Sequence, residues 1–255
     1  MPQSPINISQ PLLTRVLLTG GSRGIGAAIA KQLEAEGALV YSTSSVNGDL
    51  QDAGTPRRIW DAAVAALGGV DVLINNAGVF EEVSIDADDE KWLAEWDRTM
   101  RINLTASANF SRLAVMHFRE MNKAGRIINI ASRAAHRGDG PTYWHYAASK
   151  AGVVALTKTI ARGYGKENIL AFAVSPGMTK TDMVNHQLGT ELASKFVNEI
   201  PLGRAAEPEE ISEAVVFLAL RAPPSMTGAT LDVMGRVTFD RRTLALLHHV
   251  YASAK

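Results

Sequence analysis

The chain has 255 residues with 26 Lys and Arg against 26 Asp and Glu, so no excess of positive charge favours nucleic acid or an anionic membrane. It contains no cysteine, which excludes disulfides, thiolate nucleophiles and cysteine-ligated metals, and we expect no metal site. Residues 1–13 form an N-terminal arm without the basic start and apolar core of a signal peptide, and no run approaches the ~18–20 apolar residues of a membrane span. We therefore expect one cytoplasmic domain, residues 1–255, without membrane or nucleic-acid partners.

The first pattern with chemical meaning is a glycine-rich turn, Thr19-Gly20-Gly21-Ser22-Arg23-Gly24-Ile25-Gly26. It follows a short apolar run, 15–19, and precedes a segment rich in Ala, Leu and Glu, 27–36, so the order predicts strand, turn and helix. Glycines let the backbone turn tightly and approach a phosphate, which the first N–H groups of the helix can bind. Glycine clusters also occur in ordinary turns, but the position between strand and helix favours a dinucleotide site.

Strand and helix patterns alternate along the rest of the chain. Several strands are continuous apolar runs, which is typical of parallel strands covered on both faces. The predicted fold is a doubly wound parallel α/β sheet of about seven strands with helices on both faces. Predicted strands lie at 15–19, 38–43, 70–74, 126–130, 169–174 and 229–233, with a brief third strand ending at Asp49-Leu50. Predicted helices lie at 25–36, 55–67, 91–121, 143–164 and 207–220, and residues 178–200 are predicted as a helical excursion.

A tyrosine and a lysine carry the next chemical signal. Tyr146 and Lys150 are four residues apart on a predicted helix, so their side chains share one face. A nearby ammonium lowers the pKa of a tyrosine from about 10 by roughly 1–3 units, toward that of a usable general acid or base. The same spacing occurs by chance on solvated helix faces. It gains meaning from Ser132, which follows the strand at 126–130, where such a sheet has its ligand crevice.

Six features occur in order along the chain: the glycine turn at 19–26, Asn75-Asn76-Ala77-Gly78, Asn103, Ser132, Tyr146 with Lys150, and Pro176-Gly177. Their spacing resembles that of the short-chain dehydrogenase/reductases, including members like 3-oxoacyl-carrier-protein reductases and hydroxysteroid dehydrogenases. The resemblance covers about residues 14–235 and implies a single-domain Rossmann fold, a nicotinamide cofactor and hydride transfer at a carbonyl or alcohol carbon. It also implies that Tyr146 is the general acid/base, Ser132 binds the substrate oxygen, Lys150 binds the nicotinamide ribose and Asn103 holds a proton-relay water.

The resemblance further implies the cofactor contacts and the substrate region. The implied cofactor-binding residues are Gly20, Ser22, Arg23, Gly24, Ile25, Gly26, Ser44, Ser45, Asp49, Leu50, Asn76, Ala77, Gly78, Tyr146, Lys150, Pro176, Gly177, Thr179 and Thr181. The pocket candidates are Phe80, Arg133, His136, Tyr143, Met178, Met183 and His186. They mix apolar and basic groups and do not identify the substrate. Residues 178–200 would form the substrate loop, and 240–255 are a C-terminal extension with the apolar spacing of an amphipathic helix.

The end of the second strand predicts NADP(H) in preference to NAD(H). A site for NAD usually places an acidic residue there, whereas this chain has Tyr41-Ser42-Thr43-Ser44-Ser45 and no acid before Asp49. Hydroxyl groups can donate to a 2′-phosphate, and Arg23 can form a charge-assisted pair with it. A solvated Arg23 and a serine-rich strand end would also accept NAD(H), so an NAD-dependent alcohol dehydrogenase stays open as the alternative.

Two further interpretations concern activity and assembly. A catalytically idle dinucleotide-binding regulatory protein could use the same fold, whereas a nucleotide-sugar epimerase or dehydratase is disfavoured because those relatives usually carry a longer C-terminal substrate domain. We expect a small-molecule carbonyl or alcohol as the substrate. The resemblance also implies a homotetramer, or a homodimer, formed through two helices with small faces. These small residues, which could instead pack on their own sheet, are Ala106, Ala108, Ala114, Ala147, Ala148, Ala151, Gly152 and Ala155.

Overall fold

The computed structural model describes residues 13–181, 183, 197 and 200–235. Its strands are β1 (Arg15–Leu18), β2 (Leu39–Ser42), β3 (Val72–Asn75), β4 (Gly125–Ile130), β5 (Ile169–Pro176) and β6 (Thr230–Val233). Its helices are α1 (Gly24–Ala35), α2 (Thr55–Leu67), α3 (Asp89–Met100), α4 (Ala106–Glu120), α5 (Ala134–Arg137), α6 (Trp144–Tyr164) and α7 (Pro208–Leu220). A π-helical turn, Arg101–Thr105, joins α3 to α4, and 3₁₀ turns lie at Ser45–Asn47, Gly165–Glu167 and Pro224–Met226.

The strands form one parallel sheet in the order β2-β1-β3-β4-β5-β6. The chain starts in the middle with β1, adds β2 on one side and then moves to β3 on the other. The strand order therefore reverses between β1 and β3. In doubly wound sheets, ligands bind at such a switch point, beyond the carboxyl ends of the strands.

Apolar side chains cover both faces of the sheet. On one face α1 and α7 pack against it, with Ile29, Leu33, Val215 and Leu218 fully buried. On the other face α2, α4 and α6 supply the core, for example through Phe110. Strands β3 and β5 are buried along their whole length, as the continuous apolar runs predicted. The doubly wound parallel α/β fold is confirmed.

The predicted third strand at Asp49-Leu50 is wrong. Within residues 13–235, as far as the structure describes them, the sheet has six strands, where about seven were predicted for the chain. The segment after β2 turns instead of extending. Ser44 and Asn47 cap the 3₁₀ turn reciprocally, with the Ser44 N–H donating to Asn47 Oδ1 at 2.8 Å. Asp49 then accepts from the backbone N–H of Gln51 at 2.9 Å. These local side-chain bonds satisfy backbone groups that a strand would have to pair with a neighbour.

The long helix predicted at 91–121 is helical throughout but is interrupted at Arg101–Thr105 by the π turn. Most of the predicted excursion at 178–200, the arm at 1–12 and the extension at 240–255 lie outside the described residues. None of the helices in the described segments combines the length and the apolar character that crossing a membrane requires.

Candidate active site

The glycine turn connects β1 to α1 and brings backbone close to backbone. Gly20 has φ +69°, and a Cβ there would lie 2.8 Å from the Ala77 Cα. A Cβ on Gly26 would overlap the Gly20 carbonyl oxygen. The Asn76 side-chain amide fixes this approach, since its Nδ2 donates to Gly20 O at 2.8 Å. Only residues without a side chain fit at these two positions.

The turn ends at the N-terminus of α1, which has the properties of an anion site. No side chain caps the first N–H groups of this helix, and its first turn contains no acidic residue. Exposed N–H groups and the positive end of the helix dipole favour a phosphate at this position. Together with the cradle formed by the glycines, this end of the site fits the pyrophosphate of a dinucleotide.

A cavity of about 1010 Å³ opens along the carboxyl edge of the sheet. Every residue that the sequence predicts to bind the cofactor lines it, from the glycine turn to Thr181. Ser132 also lines it, together with the pocket candidates Phe80, Arg133, Tyr143, Met178 and Met183. The sequence therefore predicted residues that the fold brings to one cavity. Asn103 and His136 lie outside its lining, and His186 lies outside the described residues.

Tyr146, Lys150 and Ser132 meet near the middle of this cavity. Tyr146 is half-buried in the first turn of α6, and Ser132 hydrogen-bonds with it from the loop after β4. One turn further along α6, Lys150 is only 5 % exposed. Its Nζ donates to the Ile130 carbonyl oxygen at 2.9 Å and lies 5.8 Å from the centre of the Tyr146 ring. A phenol, a hydroxyl and an ammonium group thus surround the same space.

Burial dominates the protonation of this pair. It raises the pKa of Tyr146 to about 12, an effect that the Ser132 hydrogen bond opposes. Burial also lowers the pKa of Lys150 to about 8. The predicted depression of the Tyr146 pKa by Lys150 is therefore wrong for these residues, because desolvation disfavours both charged forms. Tyr146 is protonated across the neutral range and can donate a proton.

Asn103 lies behind the cavity on the π turn and is 1 % exposed. Its Oδ1 accepts from Val79 N at 2.8 Å, and its Nδ2 donates to Val79 O at 3.0 Å and to Ser149 Oγ at 3.2 Å. A Cβ on Gly78 would lie 3.2 Å from Asn103 Oδ1 and 3.5 Å from Lys150 Nζ. Asn103 therefore lies close to the lysine across Gly78, and it anchors the segment that follows β3.

His136, a pocket candidate, contacts β5 and β6 instead of the cavity. Its Nε2 lies 3.1 Å from Ser175 Oγ and 3.5 Å from Asp232 Oδ1. Ser175 directly precedes the cavity residues Pro176 and Gly177. His136 therefore supports the wall of the site and does not face its interior.

Sequence reasoning missed the charged residues that line the substrate end of the cavity, which are Glu81, Glu82, Arg98 and Asp139. Glu81 and Glu82 belong to the acidic loop between β3 and α3. This loop reaches the site because Val83 N donates to Thr142 O at 3.1 Å, which joins it to the turn before α6. Such a long-range contact has no local sequence signal. Among the described residues, no group of His, Asp and Glu is arranged to hold a metal ion.

The sequence profile of a family described as "Enoyl-(Acyl carrier protein) reductase" matches residues 40–237. A 3-oxoacyl-[acyl-carrier-protein] reductase of Vibrio cholerae is 36 % identical to the chain over 238 residues, covering 86 % of this chain and 95 % of the relative. The chain belongs to the short-chain dehydrogenase/reductases. The 3beta-hydroxysteroid dehydrogenase 1 of Eggerthella lenta is 34 % identical, covering 88 % of this chain and 93 % of the relative.

Solved structures show the same fold in this family of oxidoreductases. The Brucella melitensis 3-ketoacyl-(acyl-carrier-protein) reductase complexed with NADH is 27 % identical and superposes with a TM-score of 0.77, covering 87 % of this chain and 97 % of that one. The ligand-free aldohexose dehydrogenase of Thermoplasma acidophilum is 28 % identical, with a TM-score of 0.80 and coverage of 89 % and 96 %. The names of these relatives refer to acyl-carrier-protein derivatives, a hydroxysteroid and an aldohexose.

Proposed function

We propose that this protein is an NADP(H)-dependent oxidoreductase that interconverts a carbonyl compound and a secondary alcohol, with Tyr146 as the general acid/base. The observation that carries the proposal is the meeting of Ser132, Tyr146 and Lys150 in the cavity that also contains the glycine turn. The structure of the Brucella reductase with NADH supports a nicotinamide cofactor, and the name of the Vibrio cholerae relative supports a reductase.

The chain's own residues supply binding, orientation and a proton. The glycine turn and the first N–H groups of α1 would hold the pyrophosphate, and Lys150 would reach the ribose next to the nicotinamide. When bound, the nicotinamide supplies or accepts the hydride. Ser132 and Tyr146 would donate hydrogen bonds to the substrate oxygen, which gains negative charge during reduction. Because the pKa of Tyr146 is about 12, its hydroxyl carries the proton that this oxygen needs at neutral pH.

The preference for NADP(H) rests on the groups that surround the end of β2. Arg23, exposed at the start of α1, lines the same cavity as Ser44 and Ser45. No acidic residue lies between Thr43 and Asp49, and the Asp49 carboxylate accepts hydrogen bonds from Gln51. A 2′-phosphate would therefore meet a guanidinium and hydroxyls at the end of β2, where a site for NAD usually has a carboxylate. We further propose a single-domain cytoplasmic protein that assembles as a homotetramer or a homodimer.

The experiment is a panel of ketones and secondary alcohols followed by cofactor absorbance with both NADP(H) and NAD(H). Tyr146→Phe removes only the hydroxyl, so we expect loss of nearly all turnover with little change in cofactor affinity. Tyr164→Phe is the matched control, because Tyr164 ends α6 far along the helix and lies beneath the Arg119 guanidinium. Substantial activity of Tyr146→Phe at neutral pH would contradict the role of the tyrosine. Cofactor binding without any turnover would favour the idle regulatory protein.

A further inference from the structure

One wall of the cavity is formed by two aromatic rings and a carboxylate. The rings of Phe80 and Tyr143 stack with their centres 4.2 Å apart and an angle of 5° between their planes. Phe80 also meets Tyr146 edge to face, at 4.7 Å and 69°. Tyr143 Oη donates to Glu82 Oε1 at 2.5 Å. A substrate whose oxygen reaches Tyr146 would therefore lie next to Phe80, with Glu82 further along the same wall.

This wall is held in place at both ends of the segment that carries it. Asn103 binds the N–H and the carbonyl oxygen of Val79, one residue before Phe80. Val83, one residue after Glu82, donates its N–H to the Thr142 carbonyl oxygen at 3.1 Å. Residues between two such anchors keep a defined position, which a specificity determinant needs.

Glu82 and its neighbour Glu81 both line the cavity, but they differ in the group that binds their carboxylate. Glu81 pairs with Arg98, so its charge is compensated at close range. Asp139, in the loop before α6, accepts from the backbone N–H of Gly140 at 2.9 Å. Glu82 accepts its hydrogen bond from the uncharged phenol of Tyr143, which leaves its negative charge uncompensated by that contact. An exposed carboxylate attracts a hydrogen-bond donor and repels a second anion.

We propose that Glu82 determines substrate specificity, selecting uncharged hydroxyl-bearing carbonyl compounds and rejecting anionic ones. The apolar body of such a substrate lies along Phe80 and Tyr143, and its hydroxyl donates to Glu82. This inference rests on the proposed oxidoreductase function and narrows its substrate class. It differs from a general preference for apolar ketones, because it assigns the discrimination to one charge.

The test compares 4-hydroxycyclohexanone with 4-oxocyclohexanecarboxylate, which differ in the charge of the distant substituent. Both kcat/KM and the dissociation constant measured by ligand-observed NMR in the presence of NADP(H) are determined for each compound. We expect the wild type to favour the neutral ketone at least about ten-fold in both quantities. Glu82→Gln should reduce this preference several-fold, mainly by increasing the affinity and kcat/KM for the anionic ketone. Tyr143→Phe keeps the carboxylate and should keep the preference.

Glu90→Gln is the matched control. It removes a charge of the same sign from an exposed residue nearby in the sequence, in the first turn of α3, which lies outside the cavity lining. The inference is overturned if Glu82→Gln leaves the ratio unchanged, or if Glu90→Gln changes it equally, in variants with wild-type thermal unfolding. Binding of neither compound would overturn the assignment of this wall to the substrate. Selective binding without turnover would uphold the role of Glu82 and contradict the proposed function.

Discussion

The Asn103 side chain binds both polar backbone groups of Val79, accepting from its N–H at 2.8 Å and donating to its carbonyl oxygen at 3.0 Å. The π turn positions Asn103 for this contact, because it inserts an extra residue into the helix next to the segment that follows β3. The asparagine amide thus satisfies the two backbone groups of Val79, which lies just beyond the end of β3, as a neighbouring strand would. Through Val79 it sets the position of Phe80, which packs against Tyr146.

Replacing Asn103 by leucine should therefore weaken the fold and the site together. The variant leaves the N–H and the carbonyl oxygen of Val79 without their partner, at a cost of about 2–4 kcal/mol in the free energy of unfolding. We expect kcat to fall more than the affinity for NADP(H), because the pyrophosphate site is built by other residues. Urea unfolding and steady-state kinetics measure the two effects.

Asn103→Asp provides the control for this prediction. The aspartate has the same shape and still accepts from the Val79 N–H, but it cannot donate to the carbonyl oxygen. It should unfold at a lower denaturant concentration than the wild type at a pH where the carboxyl group is ionised, because the lost bond and the buried charge both destabilise the fold. Equal stability of all three proteins would show that the two Val79 bonds contribute nothing measurable.

The predicted site residues that the fold brings to one cavity are placed there by local geometry. The cradle from Gly20 to Gly26 and the helical spacing of Tyr146 and Lys150 follow from a strand-turn-helix order and from the period of the helix. Both lie where they were expected. The predicted strand near Asp49 is wrong because side chains within the segment bind its backbone and form a turn. The bond between Ser44 and Asn47 is one example.

The remaining features depend on contacts between distant residues. Glu82 reaches the cavity through the bond of Val83 to Thr142, and the π turn at Asn103 has no glycine or proline to mark it. The pKa of Tyr146 was predicted from a charge four residues away, but it is controlled by desolvation in the folded protein. Spacing along a helix predicts which groups meet, whereas burial decides which protonation state they hold.

We expect the free energy of unfolding to decrease as the pH is lowered below about 6.5, because His117 becomes protonated. The Val70 backbone N–H donates to His117 Nε2 at 3.2 Å, so the ring must be neutral to accept this bond. Burial lowers the pKa of His117 below its ordinary 6.5, with the nearby Arg15 guanidinium as a second cause. The unfolded chain therefore binds the proton at higher pH than the folded protein. The stabilisation is complete above about pH 6.5 and is lost as the pH falls from there toward the folded-state pKa.

Urea unfolding between pH 8 and pH 5 measures this loss, which we expect to be about 1 kcal/mol for the bond itself. His117→Gln keeps an acceptor but does not titrate, so its stability should decline less steeply with falling pH. His145 is buried, and burial lowers its pKa in the same direction, so His145→Gln gives an independent comparison. A His117→Gln protein whose pH dependence matches the wild type would contradict the assignment to His117.

The exposure of the small residues indicates which of the two helices can form the predicted subunit interface. Ala148, Ala151 and Ala155 lie exposed along α6, whereas Ala106 and Ala114 of α4 are buried in their own core. Of these residues, only the three alanines of α6 are therefore available to contact a second copy of the chain. Sedimentation at micromolar concentration should give a multiple of the 27.4 kDa chain mass. Ala151→Arg should lower that mass by inserting a long charged side chain.

The control for this prediction is Glu34→Arg, which changes an exposed residue of α1 on the opposite face of the sheet. It should sediment like the wild type. A wild type that sediments as a monomer would contradict the proposed tetramer or dimer. An Ala151→Arg protein that keeps the wild-type mass would place the interface elsewhere.

The last prediction concerns cofactor choice and depends on Arg23. This residue precedes α1 in an extended conformation and lines the cavity beside Ser44 and Ser45. We expect the wild type to show a higher catalytic efficiency with NADP(H) than with NAD(H). If the guanidinium pairs with the 2′-phosphate, Arg23→Ala should cost NADP(H) roughly 1.5–3 kcal/mol, or about ten-fold or more in efficiency, and hardly affect NAD(H).

Arg57→Ala is the matched control, because Arg57 is an exposed arginine that pairs with Asp61 on α2 and lies outside the cavity lining. Loss of a surface pair of this kind costs ~0.3–0.5 kcal/mol of stability and should leave the ratio between the two cofactors unchanged. Raising the ionic strength should reduce the NADP(H) preference of the wild type, because salt screens the exposed pair of Arg23 with the 2′-phosphate. It should not reduce the preference of Arg23→Ala, which lacks this pair. Equal losses with both cofactors in Arg23→Ala, or a wild type that favours NAD(H), would show that Arg23 does not recognise a 2′-phosphate.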